Sequence, residues 1–334
     1  MGESALPIIR LVERKPMLTT AQMLSHLVPP PQFAKASFEN YQPDQNFDSQ
    51  EIARDAAAKF MKTSGGSFLK RGAEQKQGLY LDGGFGVGKT HLLAATWHKA
   101  NGVKYFGTFM EITALVGALG YAKAEAALKG SKFIAIDEFE LDDPGDTMIM
   151  TRLLGALMES GTYVMATSNT PPGALGEGRF AAADFVREIS AIADRFNILR
   201  IDGVDYRHRE NEGNATVTQE PALTEWPTEA LVAIDDFGSV IKHLRELHPS
   251  KYILLVEDLD GLTLKKVSKL DDQNDALRFV AFVDRLYDAD IPIKAGGLPL
   301  DQVFSDEMLD GGYRKKYLRA YSRLVALTHR ETKP

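Results

Sequence analysis

The sequence predicts an α/β chain built on a P-loop type parallel sheet with helices on both faces, followed by a carboxyl-terminal region that contains a further α/β unit. Three observations carry this. Short β-rich runs alternate with helix-like stretches between residues 79 and 203, the pattern of a parallel sheet covered by helices. One of those runs, Phe133-Ile134-Ala135-Ile136, is apolar throughout, as in a strand buried on both faces. A glycine-rich turn, Gly83-Gly84-Phe85-Gly86-Val87-Gly88-Lys89-Thr90, then joins the first run to a helix-like stretch.

Residues 1–50, rich in Pro and Gln, are expected to form an extended amino-terminal segment that packs on the core through Phe33, Phe38 and Tyr41. Ser49 is a natural N-cap for a helix over 52–61. Strands are expected at 79–82, 104–109, 133–137, 162–167 and 198–202, which defines a core domain over 51–203. The fourth strand takes its character from Thr162, Tyr163 and Val164 and is ended by Pro171-Pro172. Ahead of it, Asp143-Pro144 offers a cap and a first-turn proline to a helix whose Ile149, Met150, Leu153, Leu154, Leu157 and Met158 share one face. Asp142, Asp143 and Asp146 are better explained as turn and cap residues than as a functional cluster.

Residues 204–334 are expected to be a carboxyl-terminal α/β or lid region. Tyr252-Ile253-Leu254-Leu255-Val256, followed by Glu257-Asp258, reads as a buried strand with acids at its end. Phe279, Phe282, Val283, Leu286 and Tyr287 mark an amphipathic helix over 276–287, and Ile291-Pro292-Ile293-Lys294-Ala295 a short strand. This order repeats the one from 133 to 172, so a second strand–helix–strand unit without its own phosphate loop is expected.

The composition excludes several classes. A hydrophobic share of 44% is ordinary for a globular chain, and a net charge of −7 supplies no global field toward nucleic acid or anionic lipid. Local basic patches remain, at Arg314, Lys315, Lys316 and Arg319. The absence of cysteine removes disulfides, thiol nucleophiles and thiolate metal sites together, and the 7 histidines show no zinc-like spacing. With no secretory leader and no long apolar stretch, a soluble, cytoplasmic protein is expected.

The glycine turn fits G-x-x-x-x-G-K-[ST] in the strand–turn–helix setting the pattern requires, so the chain is expected to bind a nucleoside triphosphate through residues 83–90 together with His91, which directly follows. Glycines let backbone N–H groups face the phosphates and let the chain come close. Lys89 is expected to reach the β- and γ-phosphates, and the Thr90 hydroxyl to ligate Mg²⁺. The apolar run ends in Asp137-Glu138, at the strand end where ligands bind in parallel sheets. Asp137 is the candidate metal ligand, and Glu138 the candidate for polarising the attacking water. Asn169, at the end of the neighbouring expected strand, is expected to point at that water or the γ-phosphate. Its plainer reading is a turn former before Thr170-Pro171-Pro172. Arg195, just before the last core strand, suits a finger projecting into a neighbour's site in a ring, with Arg187 the runner-up; a surface ion pair is the plain alternative. Gln50 lies where its amide could read an adenine edge, although a solvated helix-start residue explains it equally well. No Asp-x-x-Gly follows the acidic pair, and Ser268-Lys269-Leu270-Asp271 is a faint likeness to a guanine-reading loop, so ATP is favoured over GTP.

These motifs, together with Ile136-Asp137-Glu138-Phe139, the run Ala166-Thr167-Ser168-Asn169-Thr170-Pro171-Pro172, Asp202-Gly203 with Asp205-Tyr206-Arg207, Arg278-Phe279 leading to Asp284-Arg285-Leu286-Tyr287-Asp288, and Ser322-Arg323-Leu324, resemble the AAA+ ATPases. Within them the likeness narrows to the ZapE and AFG-one-like family over about residues 30–330. The resemblance implies Mg²⁺ and hydrolysis roles for Asp137 and Glu138, a sensor role for Asn169, an arginine finger at Arg195, and a second sensor arginine at Arg278 or Arg323. It further implies a homo-oligomeric ring that remodels a protein client, with the division ring or membrane proteins as candidates and peripheral membrane contact left open. Residues 140–146 and 176–180 depart from the family pattern, which bears on the division role more than on the ATPase. The rival readings are a nucleic-acid motor or helicase loader, against which the acidic balance argues, and a nucleotide-gated scaffold with negligible turnover.

Overall fold

The computed structural model describes residues 8–17, 19–60, 76–84, 86–141, 144–175, 186–204, 214–311 and 313–330. Two compact units divide them: residues 19–204 form one, while residues 8–17 join residues 214–330 in the other. The expected boundary at residue 50 is therefore corrected. Residues 8–17 belong to the carboxyl-terminal unit, through β1 (Ile8–Ile9), and the segment after them carries short helices rather than remaining extended.

The unit over 19–204 runs α1 (Thr20–Ser25), α2 (Asp48–Phe60), β2 (Gly78–Gly83), α3 (Lys89–Lys99), β3 (Lys104–Thr108), α4 (Phe109–Leu119), α5 (Tyr121–Leu128), β4 (Phe133–Asp137), α6 (Pro144–Glu159), β5 (Tyr163–Ser168), α7 (Val186–Ala193) and β6 (Phe196–Ile201). Its five strands are all parallel, in the order β3-β4-β5-β2-β6. Each expected core strand is present to within two residues. β2 and β4 are buried at every position, which is why both read as unbroken apolar runs with only Asp82 and Asp137 as exceptions.

Leu79 and Leu81 pack on one face with Leu92 and Leu93 of α3 and Ala53 and Ala57 of α2. Tyr80, on the other face, meets Phe139 and Phe196 edge-on. The expected lead-in contacts hold: Tyr41 is buried, and Phe33 and Phe38 pack on the same core. One sheet edge is covered where Phe106 N–H of β3 donates to the Leu27 carbonyl at 2.8 Å. Ser49 does not cap α2, because the helix already begins at Asp48; its hydroxyl accepts instead from the Asp202 N–H at 2.9 Å. Helix α6 starts at Pro144 as expected. Asp142 and Asp143 lie outside the described residues, as do Phe85, Met61 and the divergent stretch over 176–180.

The other unit adds β7 (Val232–Asp236), α8 (Phe237–Glu246), α9 (Tyr252–Val256), β8 (Gly261–Val267), α10 (Gln273–Asp288), β9 (Ile293–Gly297), α11 (Asp306–Asp310) and α12 (Arg314–Thr328). Its sheet is also parallel, in the order β1-β7-β8-β9. A strand–helix–strand unit is thus present in β8-α10-β9, but the strand expected at 252–256 is a helix. Tyr252, Leu255 and Val256 are buried while Ile253 and Leu254 are only partly so, the spacing of a helical face. A five-residue apolar run does not distinguish strand from buried helix by periodicity, and β8 supplies the strand nine residues later. β7 was not anticipated.

Candidate functional site

The phosphate-loop pattern sits at the carboxyl end of β2, and backbone geometry explains its glycines. Gly86 and Gly88 have φ of 72° and 85°, in the left-handed region. At Gly88 a Cβ would also lie 2.4 Å from the Tyr41 ring, and the Tyr41 hydroxyl donates to the Val87 carbonyl at 3.0 Å. The loop is thereby pinned from outside by the lead-in segment. The expectation that His91 contacts the nucleotide is corrected: near the start of α3 it faces that segment, its Nε2 2.9 Å from the Ser37 carbonyl oxygen and its ring 5.6 Å from that of Tyr41.

Four other expected residues meet here. The buried Lys89 ammonium donates to the carbonyls of Gly83, at 3.0 Å, and Gly84, and to Asn169 Oδ1 at 3.0 Å. Thr90 Oγ1 donates to the Asp137 carboxylate, 3.1 Å from each oxygen. Sheet order makes this convergence possible. β5 lies between β2 and β4, so Thr167 near its end and Asn169 just past it stand between the lysine and the aspartate.

Thr167 was not singled out from the sequence, although it ends an expected strand. Its hydroxyl donates to Asp137 Oδ1 and accepts from the Glu138 N–H at 3.3 Å, and its carbonyl accepts from the Phe139 N–H at 2.6 Å. Glu138 itself has φ of 52°, an unusual backbone state for a side chain of its size, which turns it out of the β4 alternation. Asp137 lies in a dry setting. Burial, and then the charge of Glu138, push its carboxyl up to about 6, against the pull of the Thr167 and Thr90 hydroxyls and Lys89.

The donor set suits a hard divalent cation: a hydroxyl and a carboxylate, both oxygen, side by side at the mouth of a loop that presents backbone and an ammonium. Among the described residues no cluster of three His, Cys, Asp or Glu could hold a metal by itself. A cation at Thr90 and Asp137 would therefore complete its shell with phosphate oxygens and water. Among the described residues, too, no helix is long and apolar enough to cross a membrane.

Gln50 is 3% exposed and its amide is engaged on both sides, Oε1 accepting from the Asp44 N–H and Nε2 donating to the Asp202 carbonyl, each at 2.9 Å. The expectation that it reads an adenine edge is corrected: the amide ties the turn before α2 to the end of β6. Arg278 belongs to the other unit, where it donates to the carbonyls of Leu244 and Leu247 at 3.2 and 2.9 Å and so closes the carboxyl end of α8. Arg323, its alternative, pairs with Asp284 between α10 and α12. Both arginines are accounted for by packing within that unit.

Arg195 precedes Phe196, which pairs with Gly78 at the start of β2. It thus stands a strand length, roughly 17 Å, from the loop at the other end of β2, beyond the reach of its side chain. Its guanidinium lies 3.8 Å from Glu159 and is one-third exposed. Arg187 is exposed on α7.

The family model described as AFG1-like ATPase matches residues 17–227 and 227–333. The cell division protein ZapE of Escherichia coli (strain K12) is 26% identical over 302 residues, covering 76% of this chain and 79% of the relative. The lactation elevated protein 1 homolog B of Danio rerio is 27% identical over 157 residues, covering 40% of this chain and 31% of that protein. Among solved structures, AMPPCP-bound DnaA from Aquifex aeolicus overlaps half of each chain at 16% identity, with a TM-score of 0.39. The family match runs through both units almost end to end, and the chain belongs to the AFG1-like ATPases.

Proposed function

We propose that this ATPase hydrolyses ATP with Mg²⁺ and uses the cycle to remodel a protein partner, with a place in cell division or in the handling of membrane proteins. The observation that carries the first part is the meeting of Lys89, Thr90, Asp137, Thr167 and Asn169 at one strand end. In this reading Lys89 holds the β- and γ-phosphates, and Thr90 and Asp137 hold the metal, which supplies charge neutralisation on the transferring phosphoryl group. Glu138, freed from the strand alternation by its backbone, accepts a proton from the attacking water while Asn169 orients it. Asp137 must ionise to ligate a cation, and Thr167 holds its carboxylate in place for that.

The distance of Arg195 from its own loop supports an assembly in which a neighbour's arginine completes the site, a ring being the closed form of such head-to-tail contacts. The relatedness to ZapE supports a division partner, and the second parallel sheet offers a body to be moved by the nucleotide state. Replacement Glu138→Gln tests the whole reading. ATP binding is expected to persist while turnover falls by about 10²–10⁴-fold, and the ATP-loaded variant, isolated from cells, should retain its client and its own copies. Unchanged turnover would remove the assigned base, and a parent protein that turns over ATP without any Mg²⁺ requirement would remove the metal site.

A further inference from the structure

The phosphate-loop pattern leaves the position before its first glycine unspecified, yet here it holds an acid. Asp82 is the last side chain of β2 before the turn, only 3% of it exposed, and its register partners are Ser168 on β5 and Arg200 on β6. Arg200 Nη1 donates to Asp82 Oδ2 at 3.1 Å while its Nε donates to Asp202 Oδ1 at 3.1 Å, and its own side chain is 62% exposed. The backbone that carries Arg200 is fixed in turn, because Asp202 is held by Ser49 and Gln50.

A second cation also acts on Asp82. Burial raises the Asp82 carboxyl, and Arg200 pulls against that rise, helped by Lys89, whose ammonium rests on the carbonyls of the two residues that follow Asp82. An uncompensated carboxylate at this place would oppose a polyphosphate twice, by direct repulsion and by drawing the Lys89 ammonium down from the loop. Both effects are large in a site shielded from water.

We propose that Arg200 is a positioning residue for nucleotide binding: its ion pair with Asp82 neutralises the acid beneath the glycine loop and keeps Lys89 on the loop carbonyls, in place for the phosphates. This rests on the assignment of Lys89 to the phosphates made above. An ordinary exposed ion pair would contribute little to stability and nothing to nucleotide affinity.

The test is ATP binding with Mg²⁺ by calorimetry, alongside steady-state turnover, on the full chain. Arg200→Gln is expected to weaken ATP binding and raise KM about tenfold or more, with kcat at saturation changed less than threefold. Asp82→Asn in the Arg200→Gln background is expected to return affinity to within about threefold of the parent, and Arg200→Lys to stay within the same range. Arg200→Gln binding within twofold of the parent overturns the proposal, and so does a double variant that remains as weak as the single one. Should Arg200→Gln not fold, the double variant and Arg200→Lys carry the test, a tenfold loss in either being the overturning result. A parent that fails to bind ATP overturns the underlying assignment and the pair with it, whereas a parent that binds while the variants behave otherwise overturns the pair alone.

Discussion

Two buried aspartates end parallel strands in the two units, and they serve opposite ends. Asp137 closes β4 and Asp235 lies one residue from the end of β7. Burial raises the carboxyl of each. Their partners differ in kind. Asp137 accepts from two hydroxyls, those of Thr90 and Thr167, which orient a carboxylate without cancelling its charge. Asp235 accepts from Arg10 Nε at 3.0 Å and from the Leu11 N–H at 2.7 Å, so a guanidinium offsets its charge and the backbone takes its other oxygen. The comparison teaches that position at a strand end does not make an acid a site. What matters is whether its partners leave charge for an incoming cation. The loops agree: β2 passes through a glycine turn before its helix, whereas β7 enters α8 directly at Phe237.

The comparison predicts that acids of the carboxyl-terminal unit act on stability and those of the nucleotide unit on turnover. The largest effect is expected at Asp284, where Arg319 at 2.7 Å and Arg323 both converge. Burial would raise this carboxyl, but the two arginines hold it below the ordinary range. Asp284→Ala removes the carboxylate that two guanidinium groups share and is expected to cost about 3–5 kcal/mol, read as a drop in the urea midpoint with loss of amide protection in α10 and α12. Because the folded pKa is lowered, the stabilisation is present at neutral pH and disappears as pH falls through the carboxylate range.

A smaller loss, about 2 kcal/mol, is expected for Asp235→Ala, which leaves the buried Leu11 N–H unpaired; hydrogen exchange should show residues 8–13 losing protection first. The sharpest contrast is Asp137→Asn. The folded pKa of Asp137 is raised from 3.8 to about 6, so the native state binds that proton more tightly than the unfolded chain does. Stability then falls as pH rises between those two values, and the full cost is present above the upper one. The variant is expected to be about 1–2 kcal/mol more stable than the parent at pH 7.5 without Mg²⁺, to lose that advantage below pH 4, and to lose turnover at least a hundredfold. A destabilised but active Asp137→Asn would erase the distinction between the two aspartates.

Much of the nucleotide unit was legible in the sequence, because every signal there agreed. Phe133-Ile134-Ala135-Ile136 is itself too short to decide by periodicity, but it stands in a regular alternation with helix-like stretches and beside a glycine turn that fits a phosphate loop, and that setting makes it a doubly covered strand. The carboxyl-terminal sheet was half legible. The amphipathic period of α10 is long enough to decide itself, whereas Tyr252-Ile253-Leu254-Leu255-Val256 is too short, and only the neighbours that bury it make it α9. β1 has two residues and no local signal; its pairing with β7 is a long-range fact.

At the site, Lys89, Thr90, Asp137 and Asn169 were readable because chemistry fixes their types. Thr167 was not, since a threonine in a strand is ordinary and only sheet order brings its hydroxyl to Asp137. Gln50 misled for the converse reason: an amide before a phosphate loop invites a role in recognition, and nothing in the sequence reveals that Asp44 and Asp202 already occupy it.

The insertion of residues 19–204 between β1 and β7 has a consequence for synthesis. Arg10 and Asp235 are separated by 225 positions, so β1 cannot join its sheet until the nucleotide unit and β7 have both been made. The nucleotide unit is complete before β7 is made, and closing so long a loop is slow relative to local folding. During translation β1 therefore waits unpaired while residues 19–204 are made, and its pairing with β7 closes a loop that contains the whole nucleotide unit.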